Sequence, residues 1–278
     1  MTDTLRWLRE LIAIDSPTGF TKQAAQYTHE VLTQIGYEPE FTNKGAVRCT
    51  LGKGEPKLSI AAHLDTLGGI VEELCNNGTL RISMIGSYPP NSFEGCYVRV
   101  HTHEQKVYTG SLLLDNPSAH ANKEVGKTER SLRSMHVRID EQVSSKDDIL
   151  ALGIRGGDFV CFEPHYQELP SGYIKSRFMD NKAGCFVLFE LAAKLKQLGK
   201  EFPVELYFSN YEEVGHGGAG GYSPTIQELL VIDMGVVGEG VSGSECAVSI
   251  CAKDSSGPYD YEMRSTLRRL AEEKKIPC

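Results

Sequence analysis

Nowhere among its 278 residues does this sequence carry an apolar run near the roughly 18 to 20 needed to cross a bilayer, so no membrane partner is expected. Basic clusters are missing too. Lys and Arg number 29 against 37 Asp and Glu, a formal charge of 29 − 37 = −8, and without a basic stripe a nucleic-acid partner is not expected. The opening stretch MTDTLRWLRELIAID is charged and helix-like, unlike a secretory leader, and a cytoplasmic location is expected. There are eight cysteines but no CxxC pair; the nearest two, Cys246 and Cys251, are five positions apart. Cys161 in DFVCFE and Cys185 in AGCFVLFEL sit in apolar company, which predicts reduced core thiols rather than disulfides or a thiol metal site. Internal repeats and low-complexity segments are likewise absent. With 40% hydrophobic and 24% charged residues the chain is too apolar to be disordered, and its length suits one large domain or two modest ones.

What is present alternates in texture. Leu5, Leu8, Leu11 and Ile12 share a helical face, a Ser16-Pro17-Thr18-Gly19 break follows, and a second helix should run through Val31 and Leu32. AVRCTL (46–51) and LSIAA (58–62) read as strands, the second continuous enough for a buried sheet position, and it runs straight into His63-Leu64-Asp65. Residues 66–172 change to short β-type runs (RISMIG, YVRVHTH, KVYTGSLLL, MHVRID, DFVCFE), predicting a small β domain with a long polar loop over 115–133 that is mobile or partner-contacting. Ser144-Ser145-Lys146-Asp147-Asp148 resembles a helix cap. After Gly172 the α/β texture resumes: a helix from about Lys182 to Leu198, VELYFSN, a glycine-rich loop, ELLVIDMG, AVSICAK, and a last helix opened by Pro258. An α/β catalytic domain, 1–65 and 173–278, interrupted by an inserted β domain at 66–172, is the architecture this predicts.

Four clusters fall at predicted strand ends or helix starts: His63-Leu64-Asp65, Asp180-Asn181-Lys182, Glu212-Glu213 and Asp233. In an open α/β sheet the carboxyl ends of the strands border the ligand crevice, so residues distant in sequence can converge there. Grouped carboxylates repel one another and resist desolvation unless a cation holds them together. One His with several carboxylates suits Zn²⁺, Co²⁺ or Mn²⁺, and a bridging carboxylate can hold two ions. Such a pair activates water and polarises a carbonyl, and a neighbouring free carboxylate then carries the proton. Glu212 and Glu213 could divide those roles. The glycines of GHGGAGG allow either close backbone approach or a tight turn, and an amide nest is a further reading.

AAHLDTLGGIV, the Asp180-Asn181-Lys182 turn with its helix, SNYEEVGHGGAGG and LVIDMG, in that order, resemble the metal-binding motifs of the M42 metallopeptidases, the glutamyl and deblocking aminopeptidases that include the tetrahedral aminopeptidases. The resemblance spans nearly the whole chain. It implies a mixed-sheet α/β metallo-exopeptidase fold of the phosphorylase/hydrolase-like kind with an inserted PDZ-like β-barrel domain. It implies His63 and Asp233 on a first metal, Asp180 bridging, Glu213 on a second, Glu212 as general base and acid, and Asp65 orienting the His63 imidazole. Two divalent ions per subunit, peptide substrates, and homo-oligomers from dimer to dodecamer through residues 66–172 are implied with it. Asn116-Pro117-Ser118-Ala119-His120 is similar to a degenerate Pro-Pro-His segment of that domain. Two departures stand out. The family's last ligand is a His near the carboxyl terminus, whereas no His follows His216, so an incomplete second site and a catalytic domain lacking its carboxyl-terminal part are expected. The usual acidic-acidic-Arg turn is Asp180-Asn181-Lys182.

Two other functions stay open. A glycoside hydrolase of the endoglucanase type would use paired carboxylates without metal. A catalytically impaired assembly protein would account for the missing His. His101, His103 and His120 are expected at solvent-facing strand or loop positions; Asp254, Glu239 and Glu245 are pocket walls at most, and Arg264, Arg268 and Arg269 belong to a solvated helix.

Overall fold

In a computed structural model, residues 4–278 are described and divide into two units, the first ending at Ile232 and the second Asp233–Cys278. The first begins with α1 (Arg6–Ala13), whose apolar face buries Leu8, Leu11 and Ile12, and α2 (Lys22–Ile35), ended by Gly36 in the left-handed conformation. Then come β1 (Glu40–Phe41), β2 (Val47–Thr50) and β3 (Leu58–His63). Six further strands follow: β4 (Gly68–Leu74), β5 (Thr79–Ile85), β6 (Tyr97–His101), β7 (Val107–Leu114), β8 (Met135–Ile139) and β9 (Phe159–Phe162). α3 (Lys146–Leu152) lies before β9, capped by the Ser145 hydroxyl, which accepts from the Asp148 amide. A two-stranded ribbon, β10 (Gln167–Glu168) and β11 (Ile174–Lys175), leads to α4 (Met179–Gln197), β12 (Val204–Ser209) and β13 (Glu228–Val231).

The sheet of this unit runs β1-β2-β12-β3-β13, with β12 and β13 parallel to β3 and β2 antiparallel to β12, so it is mixed. β3 is flanked on both sides, which is why LSIAAH carries so few polar residues. α4 packs on β3 and against α1 and α2, closing a core that includes Leu11, Leu32, Leu64, Leu188, Phe189 and Phe208. The opposite face is thinner: Ala46, Ala61 and Tyr207 pack against Tyr222. β13 is an edge strand, flanked only by β3, and its Leu229 and Val231 are 38% and 46% exposed.

β4 to β9 close a six-stranded antiparallel barrel in the order β4-β5-β8-β7-β6-β9. Alternating residues such as Leu80 and Ile82, Val98 and Val100, and Leu112 and Leu114 fill it, together with Phe162. β4 was not distinguished in the sequence; its two leading glycines and a bulge between Val71 and Glu73 interrupt its alternation. The 115–133 loop between β7 and β8 is braced from within: Arg130 donates to the Val125 and Thr128 carbonyls and pairs with Glu94.

The second unit carries α5 (Tyr261–Lys274), which starts three residues after Pro258 because Asp260 is its N-cap, accepting from the Met263 amide. AVSICAK, read as part of the α/β texture, forms no ladder there; its Val248 is 55% exposed, and an isolated bridge joins Lys253 to Pro258. Five of the eight cysteines, Cys49, Cys75, Cys96, Cys161 and Cys185, are at least partly buried. Among the described residues no helix is long and apolar enough to cross a membrane.

Candidate metal centre

The parallel arrangement brings the ends of β3 and β12 side by side, with Ser209 in register with His63. His63 therefore points from the end of β3 beside the turn that follows β12, where Glu212 and Glu213 lie in a short 3-10 segment. Asp180 arrives from the start of α4. There Asp180 and Asn181 depart from helical angles, and the Asn181 side chain accepts from the Gly184 amide as an N-cap would, so regular helix begins at Lys182. Gly184 has a steric reason: a Cβ there would lie 2.0 Å from the Asn181 Oδ1 atom. The same Asn181 donates to the Ile232 carbonyl, tying α4 to the strand after β3 in the sheet.

His63 is buried, and its Nδ1 lies 2.9 Å from the Asp65 carbonyl oxygen. A carbonyl only accepts, so Nδ1 carries hydrogen and Nε2 is the ring atom turned toward the carboxylates. That atom is 3.0 Å from Asp180 Oδ1 and 3.6 Å from Glu212 Oε2. Two acceptors 3.0 Å apart are held together by a shared cation, either a proton or a metal ion. Ligand atoms of His63, Asp180 and Glu213 all lie within 4.8 Å of one another. Burial, then the nearby charge of Asp180, pushes the Glu213 carboxyl up to about 8, with Asp65 and Glu212 adding repulsion and His63 opposing it. An imidazole lone pair beside crowded carboxylates is the donor set a divalent cation takes, and the residues fit it.

Asp65 plays a wider part than orienting the imidazole. Its carboxylate is 3.5 Å from His63 Nδ1, farther than its own backbone carbonyl. The closer partners are elsewhere: the Thr18 hydroxyl donates at 2.6 Å, and the amides of Glu212 and Glu213 donate at 3.1 and 3.2 Å. Burial raises the Asp65 carboxyl, but the bonds from His63 and Thr18 outweigh it and hold it below the ordinary carboxylate value. Close approach explains one glycine of GHGGAGG: a Cβ at Gly217 would meet the Glu212 amide nitrogen at 2.8 Å. Asp233 is the first residue of the second unit, exposed, with a carboxylate oxygen accepting from the Met234 amide at 2.7 Å.

Sequence reasoning passed over Thr18, read only as part of a helix break, and Cys185, whose thiol donates to the His63 carbonyl at 3.1 Å. It also missed a second cluster. Asp15, His101 and Cys161 bring ligand-type atoms within 4.8 Å of one another where the segment after α1 meets β6 and β9. Here the counter-charge is internal: Arg99 grips both Asp15 oxygens at 2.7 and 2.6 Å, pairs with Glu163, and His101 Nε2 lies 2.7 Å from Asp15. His101 and Asp15 are thus partly buried partners, where the sequence suggested a solvent-facing strand His. Burial pushes the Cys161 thiol up, so it stays protonated. The buried Lys182 ammonium, lowered to about 8 by burial, donates to the Ile14 carbonyl at 2.6 Å.

A family model described as M42 glutamyl aminopeptidase matches residues 45–278. A relative from Bacillus subtilis strain 168 named "Putative aminopeptidase YhfE" is 40% identical over 277 residues, covering 98% of this chain and 80% of its own length. The chain belongs to the M42 family, which places it among the peptidases, hydrolases that act on peptide bonds. Among solved structures, the Pyrococcus horikoshii TET1 peptidase, described as assembling into a tetrahedron or a large octahedral shell, superposes with TM-score 0.85 at 22% identity over 99% of this chain and 82% of that one. A Thermotoga maritima endoglucanase gives TM-score 0.70 at 18% identity, over 97% and 81% of the two chains. At these identities the two structures establish the shared fold alone.

Proposed function

We propose that this chain is a dinuclear-metal aminopeptidase that removes amino-terminal residues from peptides. The observation that carries this reading is His63 Nε2 at 3.0 Å from Asp180 Oδ1, with Glu212 and Glu213 supplied by the turn after the neighbouring parallel strand. His63, Asp180 and Glu213 would hold the ions, with Asp180 as the bridge. Zn²⁺, Co²⁺ and Mn²⁺ all suit one imidazole with carboxylates. Bound there, such ions supply a water of lowered pKa and a Lewis acid for the scissile carbonyl.

The protein's own groups do the rest. Glu212 is exposed, yet its Oε2 is close to the imidazole, so it can take a proton from the attacking water and pass it to the leaving amine. The carbonyl of Asp65 fixes the ring tautomer, and the Asp65 carboxylate fixes the backbone of both glutamates. Residues 66–172 form, in the same reading, an inserted PDZ-like domain through which subunits of a cytoplasmic homo-oligomer meet; the assembly described for the P. horikoshii TET1 peptidase supports the oligomer alone.

A panel of aminoacyl p-nitroanilides tests the activity. Cleavage should stop with 1,10-phenanthroline and return with Zn²⁺ or Co²⁺. Glu212→Gln should lower kcat by about 10²- to 10⁴-fold while zinc content stays at the wild-type level. Full turnover in Glu212→Gln refutes the assignment, and chelator-insensitive glucan cleavage would favour the glycosidase instead.

A further inference from the structure

The segment Ser16–Thr18 is stitched along the residues that follow β3. Ser16 Oγ donates to the Leu64 carbonyl at 2.8 Å, the Thr66 amide to the Ser16 carbonyl at 2.9 Å, and the Thr18 amide to the Thr66 carbonyl at 3.2 Å. Ser16, Thr18, Asp65 and Thr66 are all buried, so the Thr18 hydroxyl is delivered by ordered backbone and not by a free loop. It donates to Asp65 Oδ2, the oxygen that also accepts the Glu213 amide, while Oδ1 accepts the Glu212 amide. A carboxylate turns freely about its Cβ–Cγ bond unless partners fix its plane. Glu212 and Glu213 together would need that plane held in one orientation.

We infer that Thr18 is a positioning residue: its hydroxyl locks the Asp65 carboxylate so that the two oxygens seat the backbone of Glu212 and of Glu213, placing the proton carrier and the metal-side carboxylate together. This rests on the metal-centre reading above. The reason for coupling two functions to one anchor is geometric. The two side chains project from adjacent residues, so a small rotation of their shared backbone moves both away from His63 Nε2. Partners one step behind a ligand typically change affinity or rate about 10- to 100-fold when removed.

Thr18→Val keeps the shape and removes the donor; Thr18→Ser keeps the donor and removes a methyl. Each is purified as the full chain, stripped of metal, checked for folding by circular dichroism, and titrated with Zn²⁺ by calorimetry before aminoacyl p-nitroanilide kinetics. Thr18→Val is expected to weaken Zn²⁺ binding and to lower kcat, each about 10-fold or more, with KM within threefold of wild type. Thr18→Ser should recover most of both. A folded Thr18→Val with wild-type Zn²⁺ affinity and kcat overturns the inference, as does a Thr18→Ser as impaired as Val. If Thr18→Val does not fold, Thr18→Ala takes its place in the same comparison. Were the wild-type protein to bind Zn²⁺ but cleave no peptide, the aminopeptidase reading would fail and the calorimetry would still decide the role of Thr18.

Discussion

Two clusters in the first unit bring metal-ligating residue types equally close, and they solve the same electrostatic problem in opposite ways. Around Asp15, the folded chain supplies its own cation: Arg99 reaches across from β6, and the acid, guanidinium and imidazole form a latch between the helical layer and the barrel. Around His63 and Asp180 the neighbouring groups are further carboxylates, and Glu213 is left with its proton up to about 8. Close spacing of donors therefore does not identify a metal site; the sign of the charges behind them does.

The largest expected contrast comes from removing one carboxylate from each cluster. Asp180→Ala should abolish tight zinc binding, measured by elemental analysis after gel filtration, while Asp15→Asn should leave zinc content at the wild-type value. Equal loss in both would erase the distinction drawn here.

A second contrast is in stability. Burial raises the Asp15 carboxyl, but the bonds from Arg99 and His101 more than offset this and hold it below the ordinary value. A depressed carboxylate contributes stability that is present above its unfolded pKa of about 3.9 and lost as pH falls through the lower folded value. Asp15→Asn should thus cost about 2 kcal/mol at pH 7 in urea unfolding, less than the loss of a fully buried pair, and the difference from wild type should close as pH drops below about 4. The smallest effect belongs to the protonated thiol. Cys161→Ala should cost about 1 kcal/mol and leave zinc content unchanged; zinc lost with this thiol would turn the latch into a second metal site.

Much of this architecture could be read from pattern. LSIAAH shows the largely apolar character of a strand flanked on both sides, and five of the six barrel strands read as short β-type runs, so both appear in the sequence. The short ribbon strands β10 and β11 carry no such period, and β4 hides behind glycine and a bulge. In the site, His63, Asp180 and the two glutamates stand out because each ends or begins an element. Thr18 does not: nothing local announces that its hydroxyl meets a carboxylate 47 positions away. The Asp15 latch was invisible for the same reason, since Arg99 and His101 are ordinary alternating strand residues until the barrel docks.

The register between β3 and β12 has a bearing on how the protein matures. Asp65 must wait for amides 147 and 148 residues further along the chain, so no early, locally folded fragment can seat both glutamates. Long-range parallel pairing is among the slower steps of folding. If the proposed metal centre forms, its loading should accordingly trail backbone assembly, and a nascent chain would stay inert until its β12 segment had emerged and docked.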